Sequence, residues 1–312
     1  MTRTRLAPSP TGAQHLGNAR THLIAFWASR QAGDELVFRI DNLDSPRVKS
    51  WAIEQAVEDL RWLGIQWDGE PILQTDHQRH YQQVLEFFTE TSGNLAYPCY
   101  CSRKDIADAQ SAPHESEFRG EGVIYPRTCS GYRPGDTIRN EAHCWRLRAA
   151  DETLSFDDAV LGRQSCNPAR ELGDFPIATK NNQVTYQLAV VVDDFCQEVD
   201  FVIRGKDLVA STFRQLDLYR HLDRPAPRYA HVPLVLGTDG HRLAKRHGDT
   251  RLSYYREQGV APEAVVGWAA HSLGMIDKPE PCKASELIDQ FDWSKLPAED
   301  TVVDTERLFS DD

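Results

Sequence analysis

Two stretches of the sequence have the composition of a phosphate-binding site. The first, RLAPSPTGAQHLGN, places His15 and Gly17 between an expected strand and an expected helix. Glycine lets a ligand approach the backbone closely, and the free amides and dipole of a helix start bind anions. The second, RLAKRHGD, contains Arg242, Lys245 and Arg246, whose charges can stabilise a phosphate under attack. Taken singly, the first also suits an ordinary strand-to-helix turn, and the second suits a solvated basic loop.

A third group of candidate residues contains thiols. Cys99 and Cys101 form a C-x-C pair, and Tyr125 and Cys129 follow in YPRTC. Soft thiolates in a four-ligand arrangement favour Zn²⁺ over hard cations, although the spacing also suits buried thiols beside a core tyrosine. Seven cysteines, an odd number, indicate thiols or metal ligands rather than a disulfide framework. The other four are predicted to be buried thiols: Cys144, Cys166, Cys196 and Cys282.

Alternating strands and helices are expected to position these residues. A strand, a glycine-containing turn and a helix, repeated along the chain, are typical of a parallel α/β sheet. The stretch HQRHY at 77–81 is expected to be a solvated helix start rather than a site. Apolar spacing predicts helices at 17–32, 50–64, 80–91 and 211–222, strands at 35–40, 186–195 and 198–205, and a mostly helical remainder after residue 249.

Composition sets broad limits on the class of protein. With 40% apolar and 26% charged residues, the chain is expected to be a soluble globular protein of about two domains. It has neither a membrane-length apolar run nor the layout of a signal peptide, so a cytoplasmic location is expected. The net charge of −12 argues against a general polyanion binder, because such binding depends on many Lys and Arg contacts to phosphate.

Taken together and in order, the motifs resemble those of class I aminoacyl-tRNA synthetases of the glutamyl branch. RLAPSPTG with HLGN is similar to the first signature of that family, and RLAKR to its second, the KMSKS motif. FRIDNLDSPR resembles the RIED-x-D-x-x-R block, and YQLAVVVDD with VIRGKDL resembles the second half of the sheet. The resemblance implies a doubly wound, Rossmann-type α/β catalytic domain with a zinc-bearing insertion, followed by a small helical domain.

The implied domain boundaries follow the motifs. The first half of the catalytic domain spans 1–93, and an acceptor-binding-like insertion spans 94–174. The second half spans 175–235. The KMSKS-like loop and a helical stem-contact domain span 236–312.

The resemblance also implies the reaction and the residues that bind ATP. The carboxylate of an amino acid attacks the α-phosphate of ATP with Mg²⁺, pyrophosphate leaves, and the acyl group passes to RNA. His15, Gly17 and Lys245 are the implied catalytic residues. The implied ATP-binding residues are His15, Gly17, Asp207, Arg242, Lys245 and Arg246.

The resemblance further implies a pocket for L-glutamate. The matching positions are Arg5, Ser9, Asp41, Tyr186 and Arg204. The family has Glu where this chain has Asp41, and a carboxylate one methylene shorter can still bind an ammonium through water or a shifted pose. Asn18 and Ala244 are milder departures from the two signatures.

This chain resembles the short bacterial paralogues of this branch, the glutamyl-queuosine tRNA(Asp) synthetases, in two further respects. They have a C-x-C…Y-x-x-x-C zinc site, matched here by Cys99, Cys101, Tyr125 and Cys129, which implies one structural Zn²⁺. About 63 residues follow the second signature, too few for helical anticodon-reading domains. The expected activity is tRNA-independent activation of glutamate and its transfer to queuosine in the anticodon stem-loop of tRNA(Asp).

Two alternatives remain at this point. One is a truncated glutamyl-tRNA synthetase that charges an acceptor end. The other is a paralogue that binds nucleotide or RNA without catalysis. A monomer without membrane contact is expected in each case.

Overall fold

A computed structural model describes residues 2–43, 48–91, 93, 95–108, 124–243, 249–305 and 308–309. Its strands are β1 (Arg3–Leu6), β2 (Glu35–Ile40), β3 (Asp68–Leu73), β4 (Ala96–Cys99), β5 (Cys144–Leu147), β6 (Leu154–Asp158), β7 (Gly162–Cys166), β8 (Phe175–Ala178), β9 (Phe201–Gly205), β10 (Arg228–Val232), β11 (Val235–Gly237) and β12 (Thr301–Val303). Its α-helices are α1 (Leu16–Ala32), α2 (Ser50–Trp62), α3 (Gln78–Glu86), α4 (Arg103–Asp108), α5 (Pro168–Glu171), α6 (Tyr186–Cys196), α7 (Val209–His221), α8 (Leu252–Glu257) and α9 (Pro262–Ser272).

The largest sheet confirms the predicted α/β class. It has seven strands in the order β3-β2-β1-β9-β10-β6-β7. The first six are parallel, and β7 is antiparallel to β6. The strand order reverses between β1 and β9, which is the position where Rossmann-type sheets bind ligands at the carboxyl ends of their strands. Helix α1 joins β1 to β2 and is buried over most of its length.

The predicted insertion is divided between two sheets. Strands β4 and β5 form a three-stranded antiparallel sheet, and the third strand, β8, comes from the segment assigned to the second catalytic half. Strands β6 and β7 join the large sheet through the pairing of Tyr229 with Asp158. Strand β4 begins at Ala96, close to the predicted boundary at 94, whereas backbone pairing joins strands from both sides of residue 174 into each of these two sheets.

The prediction of a strand in YQLAVVVDDF is wrong, because this segment is helix α6. The seven residues from Leu188 to Asp194 are all buried, so this part of the helix is covered on all sides, by apolar contacts and, at Asp193 and Asp194, by ion pairs. A short, continuously apolar run does not distinguish a buried strand from a buried helix by periodicity. VIRG forms β9, as predicted.

The described residues after 251 do not form a separate core. Helix α9 and the 3₁₀ segment Ala284–Gln290 pack on α1, and the Trp27 indole donates a hydrogen bond to the Ala284 carbonyl at 2.8 Å. The small helical domain expected at this end is therefore part of the core that also covers β1 and β2. None of the described helices is both long enough and apolar enough to cross a membrane.

Candidate active site

A cleft of about 540 Å³ lies at the carboxyl ends of β1 and β9, where the strand order reverses. The Asp41 amide donates to the Pro8 carbonyl at 3.0 Å, which fixes the chain after β2 against the first signature. The cleft brings together nine of the eleven residues that are predicted to act in catalysis or to bind ATP or glutamate, namely Arg5, Ser9, His15, Gly17, Asp41, Tyr186, Arg204, Asp207 and Arg242. The other two, Lys245 and Arg246, lie outside the described residues.

His15 caps the N-terminus of α1. Its Nδ1 accepts a hydrogen bond from the Gly17 amide at 3.1 Å, so the ring proton is on Nε2. Burial, together with the charge of Arg242, lowers the pKa of His15 to about 4, so the ring is neutral at neutral pH. The Asn18 side chain accepts from the His15 amide at 3.1 Å and completes a capping box.

Gly17 is required by the His15 ring. A Cβ at this position would lie 3.0 Å from Cε1 and 3.1 Å from Nδ1 of His15. A side chain at residue 17 would therefore displace the cap. Gly12 is different, because a Cβ there would meet no protein atom within 4 Å. Contacts among the described residues therefore explain why a side chain is excluded at position 17, but not at position 12.

The residues that flank the second signature are attached to the first. The Leu16 amide donates to the Thr250 carbonyl at 3.2 Å, and the Leu252 amide donates to the Gln14 carbonyl at 2.9 Å. On the other side, the Arg242 guanidinium pairs with the Asp207 carboxylate. The described residues on both sides of 244–248 therefore adjoin the cleft, beside the start of α1 on one side and beside Asp207, after β9, on the other.

A buried ion-pair network supports the opposite side of the cleft. Arg39 lies 2.7 Å from both Asp41 and Asp194, and Arg5 Nε lies 3.3 Å from Asp194. Burial raises the pKa of Asp194, but the charges of Arg5 and Arg39 outweigh it and the pKa is lowered. Burial dominates at Asp41, where the pKa is raised despite Arg39. Asp41 thus uses one carboxylate oxygen to bind Arg39 while it lines the cleft.

Asp193 extends this network to the helix that follows β3. Its carboxylate accepts hydrogen bonds from Gln74 at 2.8 Å and from the Tyr81 hydroxyl at 2.6 Å. His77 Nδ1 lies 2.8 Å from the same carboxylate. HQRHY does begin a helix, but the prediction that it is solvated is wrong for His77 and Tyr81, because both bind a buried carboxylate.

Arg204 is oriented by residues that the motifs did not identify. Its Nε donates to His231 Nε2 at 3.1 Å, and its Nη2 donates to Thr212 at 2.6 Å and to Gln215 at 2.9 Å. His231 Nδ1 in turn lies 2.6 Å from the Asp158 carboxylate. Burial lowers the pKa of His231 despite the hydrogen bond with Asp158, so the ring is neutral and Nε2 is an acceptor.

The third guanidinium nitrogen of Arg204, Nη1, is buried and has no hydrogen-bond partner among the residues that the structure describes. A buried charged donor without a partner is costly, and this one belongs to a side chain that lines the cleft. The arrangement suits a ligand carboxylate. No spacing in the sequence links Asp158 to His231, because they are brought together by the pairing of β6 with β10.

The cysteine residues converge as the sequence predicts. The Sγ atoms of Cys99, Cys101 and Cys129 all lie within 4.8 Å of one another, with 3.7 Å between Cys101 and Cys129. The Tyr125 hydroxyl lies 3.3 Å from Cys99 Sγ and 3.7 Å from Cys101 Sγ. A tetrahedral Zn²⁺ with bonds of ~2.3 Å separates its sulfur ligands by about 3.8 Å, so the donor set fits this metal.

Cys144 lies beside this group but is not one of its three converging thiols, and it is half-buried where a buried thiol is predicted. It is opposite Cys99 in the pairing of β4 with β5. Hydrogen bonds from Cys144, and also from Tyr125 and Arg146, lower the pKa of Cys99 to about 4 despite its burial. The thiolate that a metal requires is thus favoured at neutral pH. Cys166 is buried as predicted, Cys282 is half-buried, and Cys196 is exposed, which contradicts the prediction for that residue.

Comparisons with known proteins give the family. The catalytic-domain model of class I tRNA synthetases (E and Q) matches residues 1–310. A glutamyl-Q tRNA(Asp) synthetase of Rhodopirellula baltica is 49% identical over 96% of both chains. One from Deinococcus radiodurans is 41% identical over 95% of this chain and 97% of its own.

Longer relatives match over part of their length. A crystal structure of a glutamate tRNA ligase from Elizabethkingia meningosepticum, in complex with its amino acid, superposes with a TM-score of 0.79 at 26% identity. The match covers 96% of this chain and 66% of that one, so this chain spans just under two thirds of the ligase. The chain is a class I tRNA synthetase ligase and belongs to the glutamyl-Q tRNA(Asp) synthetase family.

Proposed function

We propose that this protein activates L-glutamate with ATP, without requiring tRNA, and esterifies it to queuosine in the anticodon loop of tRNA(Asp). One observation carries the proposal: a single cleft combines a helix start capped by a neutral histidine with a buried, partly unpaired arginine. The first feature suits phosphate and the second suits a carboxylate. Relatives with near-complete coverage carry the corresponding name.

The activation step is an in-line displacement at phosphorus. A glutamate carboxylate oxygen attacks the α-phosphate of ATP, the bond from that phosphorus to the bridging oxygen breaks, and pyrophosphate leaves with Mg²⁺. His15 Nε2–H and the backbone at Gly17, which has no side chain to keep a ligand away, contact the phosphates. Lys245 acts on the pyrophosphate side, assisted by Arg242 and Arg246. Asp207 lies toward the ribose or adenine. Catalysis then rests on positioning and charge stabilisation.

The other side of the cleft selects the amino acid. Arg204 Nη1, together with Arg5, binds the side-chain carboxylate of glutamate, because a guanidinium and a carboxylate form paired hydrogen bonds. Asp41 binds the α-ammonium through Oδ2, because its other carboxylate oxygen, Oδ1, is paired with Arg39. Ser9 and Tyr186 complete the pocket.

The transfer step releases AMP. A hydroxyl oxygen of the queuosine base attacks the glutamyl carbonyl carbon, and the bond between this carbon and the phosphate oxygen breaks. AMP leaves with the electron pair, and the hydroxyl proton passes to the leaving phosphate or to solvent. A new ester bond joins glutamate to the base.

The cysteine cluster holds a structural Zn²⁺ in this proposal. Cys99, Cys101, Cys129 and Tyr125 are its ligands, and a metal here would join β4 to the segment at 124–132. Only a few residues are buried in this region, so apolar burial contributes little to its stability. A bound metal would supply the stabilisation that the small core lacks. The zinc-bearing insertion and the stem-contact role of the last segment both belong to the proposal.

The deciding experiment offers labelled glutamate, ATP and Mg²⁺ together with tRNA from queuosine-proficient or queuosine-deficient cells. Label only on the first confirms the proposed acceptor. Equal label on both would indicate charging of an acceptor end instead. An absence of both label and pyrophosphate exchange would indicate a non-catalytic paralogue.

The Lys245→Ala variant tests the assignment of the loop. We expect glutamate-dependent pyrophosphate exchange to fall about 10²–10³-fold with unchanged thermal stability, because a charge that stabilises the transition state is lost. Lys278→Ala, at an exposed lysine outside the cleft, is the matched control and should retain full exchange. Normal exchange in Lys245→Ala would contradict the mechanism.

A further inference from the structure

A second cavity, of about 270 Å³, adjoins the cleft. Tyr186, at the start of α6, lines both spaces, and its ring is 39% exposed. The opposite wall of this side cavity includes Tyr125 and Arg146, which belong to the cysteine-bearing region. The side cavity therefore lies between the cleft and the cysteine cluster.

The walls of the side cavity suit a planar, polar-edged ring. Tyr186 supplies an exposed aromatic ring, and the Arg214 guanidinium lies over the buried Phe175 ring, with its carbon 6.0 Å from the ring centre. Nucleobases stack on aromatic rings and on arginine planes, and are read through hydrogen bonds at their edges. The volume is a little below the ~300 Å³ at which pockets for drug-sized ligands begin, which leaves room for one base rather than a whole nucleotide.

The one carboxylate on the wall does not make this a cation site. Asp174 accepts hydrogen bonds from the Tyr97 hydroxyl at 2.7 Å and from the Ala149 amide at 3.0 Å. It also pairs with Arg127 at 2.9 Å. These partners already neutralise and satisfy its oxygens, so a neutral ring fits the side cavity better than a cation.

A third cavity, of about 340 Å³, is larger than the side cavity but does not adjoin the cleft. It is lined by residues such as Phe26, Trp62 and Val266, and none of its lining residues lines the cleft. A group that accepts the glutamyl moiety must bring its oxygen within about 3–3.5 Å of the carbonyl carbon. A ligand in that third cavity has no contiguous path to the cleft, whereas one in the side cavity does, past Tyr186.

We propose that the side cavity is the subsite for the acceptor base, and that it holds the queuosine base with its hydroxyl directed past Tyr186 to the glutamyl carbonyl. The inference rests on the proposed function and adds the place of the second substrate. It also gives the cysteine cluster a role in transfer. Arg146 donates to Cys99 Sγ at 3.2 Å and covers the Tyr125 ring at 4.0 Å, so the cluster supports one wall of the subsite.

Filling the side cavity tests the proposal. Ile106 on α4 is half-buried and lines the cavity, whereas its neighbour Ala107 is exposed and does not. In Ile106→Trp, we expect the transfer of glutamate from the preformed adenylate to queuosine-containing tRNA to fall at least about tenfold, because the indole occupies the space of the base. Glutamate-dependent pyrophosphate exchange should stay within about twofold of wild type. Ala107→Trp, the matched control, should leave both rates unchanged.

A second variant keeps the test independent of how the indole is accommodated. Arg214→Gln removes a charged planar donor from the wall and should raise the KM for tRNA about tenfold, with the KM for glutamate unchanged. Wild-type transfer levels in both variants would overturn the subsite, as would an equal loss of exchange and transfer. The proposed function is judged separately, since it fails if the wild-type protein does not label queuosine-containing tRNA.

Discussion

The cleft and the cysteine cluster hold their functional side chains in different ways. At the cleft, the lining residue Arg204 and the supporting residue Arg39 are each fixed by several hydrogen bonds from within the fold. In the cysteine cluster, three sulfur atoms and a phenol converge on one point, and their neighbours are few. We therefore expect folding alone to preorganise the cleft, and we expect the cluster to depend on the proposed metal for its geometry.

Removing the proposed metal should give the largest effect and should separate the two regions. Structural zinc sites contribute on the order of 10 kcal/mol, so chelation or Cys129→Ser is expected to unfold the cysteine-bearing segment locally. Transfer to tRNA should be lost, while glutamate-dependent pyrophosphate exchange persists. Zinc content by atomic absorption and the two rates measure this. Cys196→Ser, at an exposed cysteine outside the cluster, is the control.

Two other outcomes of chelation would contradict the difference between the cleft and the cysteine cluster. If exchange and transfer are lost together on chelation, the cleft depends on the metal as much as the cluster does. If neither changes, the cluster is a packed group of thiols.

Breaking the ion-pair network should give the next largest effect. Arg39 is fully buried, so Arg39→Met leaves Asp41 and Asp194 without their shared partner and should cost about 3–5 kcal/mol of unfolding free energy. Urea unfolding measures this. Arg163→Met breaks an exposed pair with Asp157 and should cost no more than about 1 kcal/mol. Equal costs would show that the cleft is not held by its buried charges.

Disturbing the orientation of Arg204 should give a smaller effect that is confined to glutamate. His231→Phe removes the acceptor for Arg204 Nε and should raise the KM for glutamate about tenfold, with little change in kcat or in the KM for ATP. His231→Gln, which keeps an acceptor, should recover part of the loss. Equal changes in the KM values for glutamate and ATP would mean that His231 is only a packing residue.

The smallest expected effect concerns the pH dependence of stability. The pKa of His15 is lowered to about 4, so between its unfolded value of 6.5 and 4 the unfolded chain binds a proton that the folded chain does not. Stability should therefore fall as the pH falls through this range. His15→Asn keeps a capping side chain without this titration, so its urea midpoint should fall less between about pH 7 and about pH 5. His22, whose pKa is also lowered to about 4, still titrates in the variant. An identical pH dependence would contradict a neutral, buried His15.

Sequence motifs predicted the residues that line the cleft better than the residues that hold those side chains in place. His15, Gly17 and Asn18 form a capping box because they are adjacent in sequence, and local spacing encodes such contacts. His231 and Asp158 are 73 residues apart, and only sheet pairing joins them. The sequence predicts a strand in the run that forms α6, because burial on all sides removes the periodicity that distinguishes a helix from a strand.

The sequence by itself determined the chemistry of the protein. It specified a helix start with a histidine cap, a basic stretch at 242–246, arginines that line the cleft, and thiols that lie close together, because these depend mainly on residue type and short separations. Only the tertiary structure decided which groups support them. The partners of Arg39 and Arg204, the place of Cys144 beside Cys99, and the side cavity next to Tyr186 all depend on contacts between distant segments. Such contacts follow from burial and backbone pairing in three dimensions, which no local pattern of residues records.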